Sequence, residues 1–403
     1  MLPVNREPKG GKAMMNRKIG RREFIAGAAF LGAGALLPVG SGRARRGHQL
    51  GRGRGFVRVV GDRFFLGGRP FYFAGTNNYY MHYKSHRMID DVLHDAAAMG
   101  LSVLRCWGFI DGQPADGFVL QPEPYTYPEE GYERIDYTVW RARRYGLKLV
   151  IALTNNWPDF GGMEQYVRWF GGSSHDEFYT NPEIRIAYKA YVEHFLRRRN
   201  RYTGVRYMDD PTIMAWELAN EPRCQSDVSG LTLRRWVDEM STFIKRLDRH
   251  HLVAVGDEGF YRQTGRTDWT RNGSQGVDWE SLLELPNVAY ATFHLYPDHW
   301  GKDLDWCSDW IRDHIRDARG RKPVVLEEFG YRDKATRDEV YRTWTQIVYE
   351  EAGSGDQFWL LTGIQDDGTL YPDYDGFRVV YPSSTAAVLS EHARAMRARG
   401  RLP

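Results

Sequence analysis

The sequence predicts an α/β fold: a single (β/α)8 TIM barrel with enlarged βα loops over residues 56–403. Three observations predict it. A unit of amphipathic helix, glycine and apolar strand recurs at least four times after Phe56. Candidate strands number eight, at 71–75, 101–106, 147–153, 212–217, 252–256, 288–293, 323–327 and 356–361. Their apolar runs are continuous rather than alternating, as expected of parallel strands covered on both faces.

In the first unit Ile89, Val92, Leu93, Ala96 and Ala97 share one helical face, Gly100 supplies the left-handed cap, and LSVLRCW follows. The second unit is ERIDYTVWRARRYG, running into LKLVIALTNNW. The third runs from a helix around Trp236 to Asp248 into LVAVGDEG, the fourth from IRDHIRDARG into KPVVLEEFG. A barrel of this kind needs about 250 residues, which leaves roughly 95 for insertions. The stretches at 108–132, 155–182 and 261–285 are the natural places for them. An open doubly wound sheet shares the same alternation and is the structural alternative. No linker or low-complexity segment after residue 56 suggests a second domain.

Of the 403 residues, 55 are basic and 52 acidic, and 14% are aromatic. That aromatic content excludes a disordered chain, and a net charge of +3 does not mark a nucleic-acid binder. No apolar run is long enough to span a bilayer. Residues 1–55 stand apart, with twelve Lys or Arg against two acids. Asn16 to Arg22 forms a basic region, Phe24 to Val39 an apolar one, and small residues surround Ala44, the order of an export signal. Arg21 and Arg22 directly before the apolar stretch resemble a twin-arginine address, with Gly20 where Ser or Thr is usual. Residues 1–55 are thus expected to be an export leader, taking the protein to the periplasm or outside the cell. Subtracting its +10 from +3 leaves −7 for the remainder, which is expected to meet neither nucleic acid nor membrane and to be a monomer.

In a barrel the C-terminal ends of the strands carry the site. Asn77 and Asn78 end the first strand, Arg105 and Trp107 the second, and Asn155, Asn156 and Trp157 the third. Asn220 and Glu221 end the fourth, His294 and Tyr296 the sixth, Glu327 and Glu328 the seventh, and Trp359 the eighth. Carboxylates from two strands in one mouth suit glycosidic cleavage, in which one acid protonates the leaving oxygen and one carboxylate meets the oxocarbenium-like centre. Indole faces stack on the apolar faces of sugars.

These same segments carry a family resemblance. AWELANEPRC at 215–224, FHLYPDHW at 293–300 and VVLEEFG at 324–330 resemble glycoside hydrolase family 5, most of all its endo-β-1,4-mannanases. GTNNYY, LRCWGF, LTNNWPDFGG and YPDYDGF extend the resemblance over residues 56 to about 385. It implies Glu221 as general acid/base and Glu328 as nucleophile of a retaining double displacement. Glu327 is the rival nucleophile, and strand alternation would let only one of the two face the mouth. The resemblance further implies that Arg105 and Tyr296 support Glu328, Asn220 binds the sugar 2-hydroxyl, and His294 orients acid or substrate. Trp359 would floor the reacting sugar, Arg223 would lie on the aglycone side, and Trp107, Asn156 and Trp157 would line flanking subsites.

The expected partner is a β-mannan-type polysaccharide or oligosaccharide. Cellulase, glucomannanase and exo-β-mannosidase activities share these residues, and a non-catalytic carbohydrate-binding barrel is the alternative of another class. No cofactor or metal is expected, since no glutamate stands at calcium-loop spacing beside Asp366, Asp367, Asp373 and Asp375, a loop read as structural. Cys106 reads as a core residue, and Cys224 and Cys307 as loop thiols able to pair only within about 7 Å Cα to Cα.

Overall fold

The computed structural model describes residues 55–401. Eight parallel strands form one sheet: β1 (Phe73–Asn78), β2 (Val103–Trp107), β3 (Lys148–Ala152), β4 (Ile213–Glu217), β5 (Leu252–Ala254), β6 (Ala291–Leu295), β7 (Val324–Phe329) and β8 (Gly355–Phe358). Their order is β5-β4-β3-β2-β1-β8-β7-β6, with β1 beside both β2 and β8. The remaining seam, between β5 and β6, is bridged where Ala289 N–H donates to the Val253 carbonyl at 2.7 Å and His294 N–H to that of Glu258 at 3.2 Å. The expected barrel is therefore the fold.

Eight helices connect the strands: α1 (His86–Met99), α2 (Glu133–Tyr145), α3 (Pro182–Arg197), α4 (Leu231–Leu247), α5 (Trp279–Leu282), α6 (Leu304–Ala318), α7 (Arg337–Glu350) and α8 (Ser384–Arg399). Their ends follow local chemistry. The Ser85 hydroxyl accepts from Met88 N–H to start α1, and Gly100, at φ 80°, ends it in the left-handed cap expected of it. Asn181 caps α3, with Pro182 at its first position. Met88, Ile89, Val92, Leu93 and Ala96 of α1 lie buried against the barrel.

All eight expected strands exist, but β1 and β6 begin two or three residues later than expected and extend through Asn78 and Leu295. A hydropathy pattern stops at the first polar side chain, whereas Asn77 and His294 continue the ladder because their polar groups face partners inside the barrel. The pattern also missed a small antiparallel sheet, Arg58–Val60, Arg63–Leu66 and Arg69–Pro70. Its Phe64, with Val57 just before it, packs against Val103, Val150, Leu252 and Val325, closing the end of the barrel away from the strand C-termini. The 155–182 insertion carries two short helices, Gly162–Trp169 and Glu177–Thr180. All three cysteines are free and buried, and Cys307 lies on α6 rather than in a loop. No helix among the described residues is long and apolar enough to cross a membrane. The expected export leader lies outside the described residues.

One buried ion pair ties α2 to the turn after α3. Arg198 Nη2 and Nε donate to the Asp136 carboxylate at 2.6 and 3.1 Å, and Asp136 is wholly buried. Removing Arg198 leaves the buried Asp136 charge with only the Arg201 guanidinium at 3.6 Å, so Arg198→Ala is expected to lower stability by about 3 kcal/mol. Urea unfolding checks this; a loss below about 1 kcal/mol, the size of a surface pair, would contradict it.

Candidate active site

The two glutamates singled out in the sequence meet at the mouth through two backbone irregularities. After β4 the chain runs on between its neighbours: Leu218 N–H donates to Ala254 at 3.0 Å, Asn220 N–H to Thr154 at 2.8 Å and Glu221 N–H to Gly256 at 2.7 Å. Gly256 permits this approach, because a Cβ there would lie 2.1 Å from the Ala219 carbonyl oxygen. Glu221 itself has φ 52°, the left-handed region that side chains with a Cβ rarely adopt. Such strain costs about 1–3 kcal/mol and persists only where the surroundings over-determine it.

The second irregularity lies in β7. Leu326 pairs with Phe293 and Glu328 with His294, so Glu327 is the extra residue of a bulge. Strand alternation predicts that only one of Glu327 and Glu328 can face the barrel; the bulge instead brings both to Arg105. Arg105 Nη1 donates to Glu328 Oε1, and Glu327 Oε2 lies 3.6 Å from Arg105 Nε.

Arg105 is fully buried and joins four strands. Its Nε donates to Glu217 at 2.6 Å, Nη2 to Asn220 Oδ1 at 2.9 Å and Nη1 to Asn77 Oδ1 at 3.2 Å. Burial alone would lower its pKa; the carboxylates of Glu217, Glu327 and Glu328 outweigh that and raise it. Tyr296 Oη donates to the other oxygen of Glu328 at 2.6 Å. On Glu221, Oε1 is 2.7 Å from His294 Nδ1, and Oε2 accepts from Trp157 Nε1 at 2.5 Å. One oxygen of each glutamate and a nitrogen of His294 lie within 4.8 Å of one another.

The remaining candidates connect to this pair through a chain of contacts: Trp157 through Glu221, Arg223 through Trp157, Asn156 through Arg223, Trp107 through Arg105 and Trp359 through Trp107. Arg223 is bidentate to Glu258, at 2.6 and 2.7 Å, and lies over the Trp157 ring. Asn156 Oδ1 accepts from Arg223 N–H at 3.1 Å. Trp359 faces Trp107 at 5.8 Å between ring centroids and stacks on Tyr79 at 5.9 Å. Trp157 is 39% exposed.

Burial pushes the pKa of Glu221 up, opposed by Arg223, Trp157 and Arg105. Burial also pushes Glu328 up, opposed by His294 and Arg105 and reinforced by Glu221. Two carboxyls this close cannot both ionise cheaply. Arg105 and Tyr296 both donate to Glu328, which favours its ionised form. Burial lowers the pKa of His294, opposed by the charge of Glu328. Glu221, His294 and Glu328 are also the one set of His, Cys or acidic groups among the described residues whose donor atoms converge closely enough for a metal ion. Arg105 on Glu328 and the positive field of Arg223 on Glu221 make it a poor match for a cation.

Three residues at the site were given no role from the sequence. Glu217, four positions before Glu221, clamps Arg105 from below. Glu258 stands two positions after the fifth apolar run in LVAVGDEG, and that position was the available signal; burial first, then Glu221, pushes its pKa up to about 7 against the pull of Arg223. Asp375, read only as part of a structural loop, accepts from Trp359 Nε1 at 2.7 Å and so orients that indole.

A chain with this mouth can be compared with known proteins. The family model described as GH family 5 beta-mannosidase-like matches residues 54–365. The chain is 39% identical over 383 residues to mannan endo-1,4-beta-mannosidase 1 of Oryza sativa subsp. japonica, covering 86% of this chain and 87% of that protein. Its fold matches an endo-1,4-beta-D-mannanase structure from Thermotoga petrophila RKU-1 with TM-score 0.77 and 50% identity, covering 80% of this chain and 99% of that one. It also matches the Rhizomucor miehei endo-1,4-beta-mannanase with TM-score 0.80 and 38% identity, over 85% and 99% of the two chains. Similarity of this extent means that the chain belongs to glycoside hydrolase family 5, and that the cleft at the C-terminal ends of its strands is that of a glycoside hydrolase.

Proposed function

We propose that the enzyme is a retaining endo-β-1,4-mannanase acting on mannan, glucomannan or galactomannan. The observation that carries the mechanism is the separation of the two carboxyls, with oxygens of Glu221 and Glu328 no more than 4.8 Å apart. Retaining enzymes keep this pair at about 5–5.5 Å, whereas inverting enzymes hold it at about 6.5–9.5 Å to admit a water. In the first step Glu328 attacks the anomeric carbon and Glu221 protonates the leaving oxygen. In the second, Glu221 takes a proton from water, which displaces Glu328 with net retention. Once Glu328 is esterified its charge is gone, so Glu221 ionises more readily, as the base role requires.

The linkage and the endo mode of action are supported by the printed names of the rice, Thermotoga and Rhizomucor relatives. Asn220, with Arg105 on its carbonyl oxygen, would bind the sugar 2-hydroxyl; Trp359 would floor the reacting sugar, and Trp107 and Asn156 would flank it. Arg223 and Trp157 lie on the aglycone side of Glu221. Reducing-sugar release from galactomannan, glucomannan and carboxymethylcellulose tests the substrate class, and cleavage of the cellulose derivative alone would reject it. Early products of mannohexaose test the endo mode; mannose as the sole first product would indicate exo action. Residues 1–55 are proposed to export the folded protein by the twin-arginine route, which Arg21→Lys with Arg22→Lys should abolish, leaving active enzyme in the cytoplasm.

The acid role gives a signed pH prediction. Glu221 must be protonated in the free enzyme, so kcat/KM falls as pH rises through its pKa. The positive charge of Arg223 lowers that pKa. In Arg223→Met the alkaline limb of the kcat/KM profile is therefore expected to move to higher pH, with KM raised by the lost aglycone contact. A limb that stays in place or moves down would contradict the assignment of Glu221.

A further inference from the structure

Beneath the two catalytic glutamates lies a second pair of acids that the mechanism above does not use. Glu217 of β4 and Glu327 of β7 are both fully buried, and both carboxyls converge on Arg105 Nε, Glu217 Oε2 at 2.6 Å and Glu327 Oε2 at 3.6 Å. Around Glu327 stand Arg105 of β2, His294 of β6, Tyr290 just before β6, and Glu328 next to it in the chain. Its own carbonyl accepts from Asn77 Nδ2 of β1 at 2.9 Å.

Several buried polar atoms in this cluster have no partner: Glu217 Oε1, Glu327 Oε1 and Oε2, His294 Nε2 and the Tyr290 hydroxyl. Native interiors rarely leave such groups unmatched. The charges do not match either. With all three carboxyls around Arg105 ionised, one cation would face three anions without water, and uncompensated buried charge is expensive. One proton eases both problems: it lowers the excess of anions by one and supplies a donor among the unpartnered carboxyl oxygens. Glu328 must be the anion for attack, and Glu217 receives Arg105 Nε at 2.6 Å, whereas Glu327 stands off at 3.6 Å. The proton therefore belongs mainly to Glu327, bonded toward Glu217.

We propose that Glu217 and Glu327 share a single proton and act as a positioning pair. Ionised Glu217 clamps the Arg105 guanidinium, while neutral Glu327 leaves the Arg105 charge for the nucleophile and offers its carbonyl oxygen toward His294 Nε2. This deepens the retaining mechanism and rests on it. When Glu328 is esterified and loses its charge, Arg105 would otherwise be an orphan cation in the barrel; Glu217 keeps it paired through the glycosyl-enzyme. Burial and the neighbouring Glu217 hold the carboxyl of Glu327 well above the usual range, in agreement.

The test is infrared difference spectroscopy at about pH 9, where ordinary carboxyls are ionised. Asp257 and Glu258, pushed up to about 7, are ionised there as well. Protein carrying E221Q is used throughout, so that the acid/base contributes no band; Asp111, buried and raised, cancels in the difference. A carboxylic C=O stretch should be present, and E327Q should remove it. E217Q should remove it too, because Glu327 then ionises opposite Arg105; this second variant serves if E327Q does not fold. Absence of the band, or its survival in both variants, overturns the proposal. In otherwise wild-type enzyme, E327Q replaces a neutral acid by a neutral amide, so both limbs of the kcat/KM profile should move by less than about half a pH unit. A fall of the acidic limb by a unit or more would mean that Glu327 had been an anion. The spectra require no turnover, so a failure of the mannanase reading would show in the substrate assays and leave this result separate.

Discussion

Glu328→Ala is expected to reduce kcat by more than about 10^4-fold while leaving the fold intact. Glu328 would form the bond to the anomeric carbon, and nothing else within reach can replace it. Glu327, its neighbour in the chain, is wholly buried with Oε2 3.6 Å from Arg105 Nε, whereas the Tyr296 hydroxyl donates to Glu328. The measurement is kcat on galactomannan and on an aryl β-mannoside, with thermal unfolding as the control. Removing Glu328 also relieves one of two crowded buried carboxyls, so the variant should be no less stable than wild type. Added azide should enter the vacated space and give the α-mannosyl azide, inverted at the anomeric carbon. Residual activity within tenfold of wild type would reject the nucleophile assignment.

Glu221→Ala should cost about 10²–10⁴-fold in kcat on polysaccharide, the usual contribution of a positioned acid or base. The pattern differs from that of Glu328→Ala. An aryl leaving group needs little protonation, so glycosylation of the variant should remain fast on an activated aryl mannoside. Deglycosylation should become slow, and a burst of phenol should precede a low steady state. Azide, which needs no general base, should restore turnover and give the β-mannosyl azide with retention. The alkaline limb of the wild-type profile should vanish. An unchanged profile, or azide rescue with inversion, would mean that the two glutamates have been assigned the wrong way round. Neither His294, held at 2.7 Å by Glu221, nor Trp157 at 2.5 Å can supply the missing proton: burial disfavours the protonated imidazole, and the indole N–H is not acidic at these pH values.

Both glutamates could be found in the sequence because each closes an apolar strand run in a segment of recognisable form. The same holds for Arg105, His294 and Tyr296, and for Trp359. Residues whose role depends on a distant neighbour were not legible in that way. Glu217 sits inside AWELANEP and reads as strand, yet its carboxylate is one of the two firm anchors of Arg105. Asp375 lies in a loop rich in aspartate, and only proximity in space gives it the Trp359 indole. Glu258 follows the fifth run as plainly as Glu221 follows the fourth, but its meaning comes from Arg223, 35 positions away.

The sequence by itself determined the helix and strand alternation, the number of strands and the cap at Gly100. These follow from periodicity and from local side-chain chemistry, which neighbouring residues decide. Only the tertiary structure decided that Glu327 and Glu328 both reach Arg105, since a single residue that β6 leaves unpaired cancels the alternation on which sequence reasoning relies. It alone placed Glu221 in a left-handed conformation against Gly256. It also set the balance of protonation among these carboxyls, because that depends on burial and on charges that the fold brings together from β2, β4 and β7.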